Sequence, residues 1–456
     1  MQSREMLIQF LVLGLVLFFV RPPLMSQSSS SSPPEVLTLD GALELASKNN
    51  RQEKNASLEV FKAGERSLAG RSLWFPTFDL RAQGLQQIKP IEFIFQQGIF
   101  GVNPSIGPIP ATDTKIISPA RPTGIINFRV SQPLSELYRI SLQNGGLRLN
   151  REIASERLRA QQHEIVQKVK QVYWAIFQSE SGLQSSNQSV KRYRELERET
   201  DEYLAHGEAL KGDSLQVKLR LAQAEDEVIS QTDQLAEQKQ QLNQLMGRDL
   251  LVEFNVSPIQ EEPADDASLA AGRAKALDRR PELREARLRV QEAVQDRRIK
   301  KSEYIPAARL TGQYLATENF NEIIPRNALA VGISVDWDVF DWGRKKHELK
   351  EKELSIEQLA NNLHEIESSV LLEVDTKFRN LQRARQRLRI ADLSRQLADE
   401  KVRVVSARYQ VQASLLKDVL QEEAAFEEAN HQYQVAMSTL WIAKTEFDNA
   451  TGEDNK

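Results

Sequence analysis

The sequence predicts an α+β membrane protein that combines long antiparallel helices with strands long enough to cross a membrane. Three observations predict this fold class. Two tracts of more than a hundred residues lack proline, several short segments alternate apolar and polar residues, and the same order of segments recurs in the two halves of the chain. Long proline-free tracts with heptad spacing are typical of coiled-coil helices.

The clearest strand signal is the segment Leu329–Val339. Its odd-numbered residues are all apolar, whereas its even-numbered residues are small or acidic and include Ser334, Asp336 and Asp338. A period of two indicates a β-strand, because successive side chains leave opposite faces. Taken alone, the segment fits a half-buried strand of a soluble sheet as well as a membrane strand.

The composition excludes several functional classes. The 456 residues carry a net charge of −4, so no basic surface predicts nucleic-acid binding. Cysteine is absent, which excludes disulfides, thiolate metal sites and a cysteine nucleophile. No phosphate-binding loop or nucleophile motif is found, and the five histidines are scattered over polar helix positions where we expect solvent. We therefore predict neither an enzyme nor a cofactor or metal site.

The first 26 residues resemble a secretory signal peptide. Arg4 precedes the apolar run Met6–Val20, and the serine-rich stretch Ser26–Ser32 follows. The run is short for a membrane-spanning helix, which needs about twenty residues, although an uncleaved anchor remains an alternative. Residues 27–37 are predicted to form an N-terminal linker.

Residues 38–250 form the first predicted repeat. A helix begins at Thr38 or Asp40 as N-cap and continues to Leu73, and a strand follows Pro76. The proline-rich stretch 86–123 is interpreted as a loop, and a second strand ends at Pro133. Two long antiparallel helices follow, with a reversal near residues 206–213 and a stop at residue 247.

Residues 267–452 form the second predicted repeat, after a linker at 251–266 and before a tail at 453–456. A helix is expected over 267–302, then two strands and a long helical hairpin interrupted near residues 412–417.

The two repeats are related by two constant offsets in residue number. The longer offset carries Pro76 to Pro306, and the shorter offset carries Asp213 to Asp418. Many other identical residues before the first strand–strand loop keep the longer offset, and many after it keep the shorter one. This pattern predicts an internal duplication in which the first strand–strand loop is longer than the second.

Four strands of about ten residues match the length that crosses an outer membrane, but the smallest spanning barrels have eight strands. Because open edges are not tolerated in lipid, the chain is expected to oligomerise, and a trimer would supply twelve strands. The apolar strand face would then meet outer-membrane lipid. The predicted lumen residues are Ser334, Asp336, Asp338 and Arg129, and the predicted membrane-interface aromatics are Trp74, Phe78, Trp337 and Trp342. Phe75 and Phe340 could equally be core residues at helix–strand junctions.

The chain resembles the TolC-type outer-membrane efflux protein family from about Leu37 to Gly452. The resemblance is carried by the opening Leu39–Leu43, the junction Phe340–Arg344, the paired strands and the two helix reversals in tandem order. It implies a homotrimer with a shared transmembrane β-barrel and a long α-helical coiled-coil barrel in the periplasm. The implied function is an outer-membrane exit duct that works with an inner-membrane pump and a periplasmic adaptor protein to export small molecules or proteins.

The resemblance also implies a gate at the helix reversals. The implied gate residues are Asp213, Asp418, Tyr409 and Gln421. Gln421 stands where the family pattern has a second aspartate, and Ser414 stands where it has an arginine, so the gate departs from the family's wiring. The first tip also has one extra residue, which weakens the expected pairing of Asp213 with Tyr409. Asp213 and Asp418 could simply be helix N-caps at the turns, a role that does not exclude the gate.

Two other interpretations are possible. A membrane-tethered coiled-coil scaffold without channel activity would explain the heptads but not the duplicated membrane-length strands. A periplasmic adaptor would have more β structure and one helical hairpin, whereas this chain has two. The cargo and the class of pump are not predicted.

Overall fold

The computed structural model describes residues 35–207, 210–257, 268–318, 326–411, 413–414 and 416–453. The predicted signal peptide, most of the N-terminal linker and most of the linker between the repeats lie outside these residues. Among the helices of the described part of the chain, none is both long and apolar enough to cross a membrane.

The first repeat contains two short helices, two long strands separated by four short ones, and a helical hairpin. In chain order its elements are β1 (Glu35–Leu37), α1 (Leu39–Asn49), α2 (Arg51–Ser72), β2 (Thr77–Gln86), β3 (Ile91–Phe95), β4 (Val102–Asn103), β5 (Gly107–Pro108), β6 (Thr114–Ser118), β7 (Pro122–Pro133), α3 (Glu136–Ala205) and α4 (Lys211–Leu245). The 70 residues of α3 extend about 100 Å at 1.5 Å per residue.

The second repeat has the same order without the short strands of the long loop. Its elements are β8 (Phe254–Val256), α5 (Leu269–Arg279), α6 (Pro281–Ser302), β9 (Ala307–Glu318), β10 (Asn327–Asp336), α7 (Arg344–Gln410) and α8 (Leu416–Thr451). The first residue of β9 is related to the first residue of β2 by the longer offset. The first residue of β10 is related to that of β7 by the shorter offset. The two offsets seen in the sequence therefore reappear in the positions of the elements.

The four long strands form one antiparallel sheet in the order β10-β9-β7-β2. The two repeats meet at its centre, where β7 pairs with β9. The repeats meet again where β1 pairs in parallel with β8, beside the buried Tyr173. The Tyr173 hydroxyl donates a hydrogen bond to the Leu37 carbonyl at 3.1 Å and accepts one from the Ser257 amide at 3.2 Å.

Each predicted opening helix is in fact two helices, and the prediction of one continuous helix was wrong in both repeats. The first break is at Asn50, whose side chain accepts hydrogen bonds from the Gln52 and Glu53 amides. The second is at Arg280, immediately before Pro281, because proline disfavours helical backbone in the residue that precedes it. Thr38 is confirmed as the first N-cap, with Oγ1 accepting from an amide at 3.1 Å.

The ends of α4 and α8 contact these two breaks. The Asn50 side chain donates to the Leu245 carbonyl at 2.8 Å, and Arg280 donates to the Ala450 carbonyl at 3.3 Å. Gly247 follows α4 with a φ of 67°, and the equivalent glycine follows α8 with a φ of 72°. Both breaks therefore cap the last turn of a long helix and fix where the hairpin returns to the body of the protein.

The predicted loop between β2 and β7 contains regular structure. β3 pairs with β6 over five residues, and β4 pairs with β5. The six prolines of this stretch hid the alternation, because proline is typical of loops and strand edges. In the second repeat only eight residues separate β9 from β10.

Two buried clusters hold the helices together. The first surrounds Tyr173 and Trp174 of α3 and includes Met246 after α4. The second lies between α7, α8 and the α5–α6 break, with Leu283 and Leu381 fully buried. The clusters lie in the middle of α3 and α7 and at the ends of α4 and α8, so they anchor both hairpins where the returning helices finish.

Candidate functional site

The register of the sheet places apolar residues on one face across all four strands. Leu80 of β2 lies opposite Phe128 of β7, which lies opposite Tyr314 of β9, which lies opposite Leu329 of β10. This face is exposed, from 38% for Tyr314 to 77% for Leu329. Exposed apolar patches of this extent mark contact with lipid or with another protein, because water does not favour them.

The opposite face is polar and contains the predicted lumen residues. Arg129 lies opposite Asp79 on one side and Gln313 on the other, and Ser334 lies opposite Arg309. The Arg309 guanidinium is 3.7 Å from the Asp336 carboxylate. Strand register therefore brings Arg129, Ser334 and Asp336 onto one face, while Asp338 lies just beyond the end of β10.

The four predicted interface aromatics are all exposed, at 42% for Trp74, 68% for Phe78, 59% for Trp337 and 89% for Trp342. They lie at the ends of the strands that continue into helices. Phe75 and Phe340 are also exposed, so neither is a core residue within the single chain. All six side chains therefore lie near strand ends, and their role at a membrane interface stays a prediction.

Where the sheet meets α3, the two repeats are joined by hydrogen bonds. Ser135 Oγ donates to the Pro306 carbonyl at 2.6 Å and accepts from the Ala308 amide at 2.8 Å. The next residue, Glu136, forms a bidentate pair with Arg309 at 2.6 and 2.9 Å. The Arg309 hydrogen bond holds the pKa of the Glu136 carboxyl below its usual range, against the opposing effect of burial.

The equivalent junction before α7 is a local turn. Asp341 accepts hydrogen bonds from the Gly343 amide at 3.1 Å and the Lys345 amide at 3.0 Å, and the Lys345 bond is the main cause of its lowered pKa. Trp342 has a φ of 56° and Gly343 a φ of 84°. A left-handed tryptophan is strained, so the paired amides of Asp341 hold a conformation that the sequence motif Phe340–Arg344 encodes.

The predicted gate residues lie at the reversals of both hairpins. Asp213 is the third residue of α4 and Asp418 the third residue of α8, so neither occupies the N-cap position proposed as an alternative. A carboxylate in the first turn is favoured by the helix dipole. Tyr409 is the second-last residue of α7, and Gln421 is exposed on α8. The side chains of Asp213 and Tyr409 lie outside the described part of the chain, so their pairing stays a prediction.

The first tip has a contact that the sequence did not reveal. Asp201, near the end of α3, accepts a hydrogen bond from Ser214 Oγ at 2.7 Å and lies 3.1 Å from Lys218 Nζ. The Ser214 bond, with Lys218 adding to it, lowers the pKa of Asp201. At the second tip, Ser414 donates instead to the Val405 carbonyl within its own hairpin. The side-chain contacts that hold the two tips together are therefore different.

The comparisons with known proteins agree with this geometry. Residues 273–453 match the sequence model of the family described as outer membrane efflux protein. This match covers nearly all of the second repeat. It agrees, for the second repeat, with the resemblance inferred from the sequence.

The fold is similar to those of several outer-membrane proteins, including channels. The Campylobacter jejuni CmeC outer membrane channel aligns with a TM-score of 0.74 and 14% identity over 92% of this chain and 87% of that one. The Vibrio cholerae outer membrane protein VceC gives 0.68 and 15% over 92% and 97%. The open state of the Neisseria gonorrhoeae MtrE channel gives 0.68 and 16% over 92% and 89%. No curated protein matches the chain in sequence.

In the described part of the chain, no group of three or more metal-binding side chains is found. His431 and His163 are half-buried rather than solvated, and the other three histidines are exposed as expected. A cleft of about 710 Å³ lies between α1, α3 and α8, where burial lowers the pKa of Lys170. The family is named for efflux, a transport function rather than catalysis.

Proposed function

We propose that the chain is the outer-membrane exit duct of an export system, formed by three copies that share one β-barrel and one helical tunnel. One observation carries the proposal. A four-stranded sheet with an exposed apolar face and a polar face continues directly into helical hairpins whose first helix, α3 or α7, is about 100 Å long. Three such sheets give twelve strands, enough to close a barrel with lipid outside and a wet lumen inside.

The helical hairpins have the reach to contact a periplasmic adaptor and an inner-membrane pump. We expect their tips to narrow the tunnel, since each hairpin reverses at a point where an aspartate stands in the first turn of the returning helix. Three copies of Asp418 around an axis would form a carboxylate ring, and like charges held close together favour cations.

Planar-bilayer recording tests the proposed duct and its ring together. Asp418→Ala should reduce block of the channel by multivalent cations, because a carboxylate ring is removed. Glu423→Ala, which removes an exposed carboxylate further along the same helix, is the matched control and should leave block unchanged. Equal block in wild type and Asp418→Ala would exclude the ring, and absence of any conductance in wild type would exclude the duct.

The export role needs a test in cells. Deleting the protein should sensitise the bacterium to some members of a toxic-compound panel, and crosslinked adaptor should co-purify with the tagged chain. Unchanged sensitivity together with no co-purifying envelope protein would favour a scaffold without channel activity.

A further inference from the structure

The four-stranded sheet ends in two strands that each pair on one side within the described part of the chain. β2 pairs with β7, and β10 pairs with β9, so the outer edges of β2 and β10 present unpaired backbone groups. Lipid does not tolerate such edges. In the proposed duct these edges pair with strands of a neighbouring copy. The register of that pairing, meaning which residue lies opposite which, is a separate question.

The internal duplication provides a template for this seam, the strand pair formed between neighbouring subunits. β7 and β9 already pair across the boundary between the repeats, with Ser131 opposite Thr311. β10 is the copy of β7 at the shorter offset, and β9 is the copy of β2 at the longer offset. Transposing the template pair by these offsets carries Ser131 to Asp336 and Thr311 back to Arg81, so Asp336 falls opposite Arg81.

We propose that β10 of one subunit pairs antiparallel with β2 of the next in this transposed register. The proposal rests on the proposed function, in which copies of the chain close the barrel. Six residue pairs lie within both strands: Val331 with Gln86, Gly332 with Leu85, Ile333 with Gly84, Ser334 with Gln83, Val335 with Ala82, and Asp336 with Arg81.

The side chains of the two edges agree with this register. Their chemistry is independent support, because the register follows from residue positions alone. Val335 meets Ala82 on the apolar face, and Ser334 meets Gln83 on the polar face. Asp336 and Arg81 place opposite charges directly across the seam, an arrangement that stabilises antiparallel strands. The template pair Ser131 and Thr311 is neutral. At this position of the register, the boundary between subunits therefore has opposite charges where the boundary between repeats is neutral.

One contact just beyond the strands is unfavourable, and the chain already offsets it. The same register carries Asp338 towards Asp79, two like charges. Lys345 Nζ lies 3.4 Å and Arg344 Nη2 lies 3.7 Å from the Asp338 carboxylate, so cations from the start of α7 neutralise this position.

Neighbouring registers are less favourable or chemically distinct. A shift of one residue moves Asp336 onto the apolar face, because side chains alternate along a strand. A shift of two residues in one direction places Asp336 opposite Asp79. A shift of two in the other direction places Asp336 opposite Gln83 and Arg81 opposite Asp338. This register also pairs Arg81 with an aspartate, so an experiment must distinguish it from the proposed register.

Because the chain has no cysteine, disulfide crosslinking between two introduced cysteines reports the register without interference from native thiols. The Gln83→Cys/Ser334→Cys variant should give covalent dimers and trimers under mild oxidation in membranes. Leu85→Cys/Ser334→Cys and Arg81→Cys/Ser334→Cys probe the two shifted registers and should crosslink several-fold less, since disulfides require close Cβ atoms. Equal or stronger crosslinking of either shifted pair would overturn the proposed register.

Charge reversal provides a second readout that does not need a disulfide. Arg81→Asp and Asp336→Arg should each lower the yield of trimer resistant to detergent, and the double variant should restore it. Failure of the double variant to exceed the single variants would also overturn the proposal. A wild-type chain that is monomeric in native membranes would overturn the proposed duct itself, whereas trimers that crosslink in another register overturn the register alone.

Discussion

At the scale of single residues, equivalent positions of the two repeats have taken different roles. Glu136 and Asp341 are related by the shorter offset, and each lies beside the start of a long helix. Glu136 binds an arginine of the other repeat, whereas Asp341 binds amides of its own turn. One carboxylate therefore joins the repeats, and the other shapes the backbone that leads into α7.

The pairing of Glu136 predicts a pH-dependent contribution to stability. Its folded pKa is lowered, so the contribution is present above its ordinary value near 4.5 and is lost as the pH falls through the folded value. Glu136→Gln should reduce the free energy of unfolding by about 1–3 kcal/mol at pH 7, and the difference from wild type should shrink below about pH 4.5.

Thermal unfolding in detergent across this pH range measures the effect. Glu59→Gln is the control, because Glu59 pairs with Lys62 on the same exposed helix face, at 2.6 Å, and such pairs contribute little. A pH-independent difference for Glu136→Gln would show that its hydrogen-bond geometry, rather than its charge, matters.

Asp201 predicts a role for the first tip in holding the tunnel narrow. Asp201→Ala removes the hydrogen bond to Ser214 and the ion pair to Lys218 that join α3 to α4. We expect higher single-channel conductance and faster proteolysis of the tip. Glu195→Ala removes an ion pair to Arg198 within α3 alone and should change neither measurement. Identical behaviour of the two variants would contradict the role of Asp201.

At the scale of elements, the helix ends are set by close backbone approach. A Cβ added at Gly247 would lie 2.6 Å from the Asn49 carbonyl oxygen, and its φ of 67° is strained for other residues. Gly247→Ala should therefore lower the free energy of unfolding by at least about 1–2 kcal/mol. Gly212→Ala, where nothing lies within 4 Å, should be neutral or raise stability by up to about 1 kcal/mol.

Circular dichroism melts of the two variants in the same detergent measure this difference. A Gly247→Ala protein as stable as Gly212→Ala would mean that the α1–α2 break shifts to accommodate the methyl group. In that case the break would not fix the return point of the hairpin.

The strands and long helices could be predicted from the sequence because their side-chain periods are strong and uninterrupted. The break at Asn50 was missed because an Asn within a helical pattern is a weak signal until its side chain is seen to accept two amides. The contact of Asp201 with Ser214 could not be predicted, since it depends on how α3 and α4 are rotated against each other. The arm formed by β3 and β6 was hidden by its prolines.

At the scale of the whole molecule, the two repeats are two similar bodies joined along a long interface. They share the central strand pair, the β1–β8 pair and packing of α3 against α6 and α8. The repeats should therefore associate even when the chain is divided between them. Each half alone would expose the faces that the other half covers.

Division of the chain within residues 258–267 tests this expectation. The two halves, expressed together with a tag on one, should co-purify and assemble in the outer membrane. Division within α3 after Val169, a fully buried residue, is the control and should abolish assembly. Failure of the first pair to associate would show that covalent linkage of the repeats is needed for folding.

The opposite charges at the two edges of the sheet have a consequence for membranes that hold several channels of this family. Newly made subunits of different channels share the same fold and could join into mixed rings. In the proposed register, a subunit with Arg81 on one edge and Asp336 on the other would pair best with a neighbour whose edges have the same order of charges. This order of charges would favour assembly of identical subunits over mixed rings. The residues of the tunnel wall could then differ between channels with different cargo.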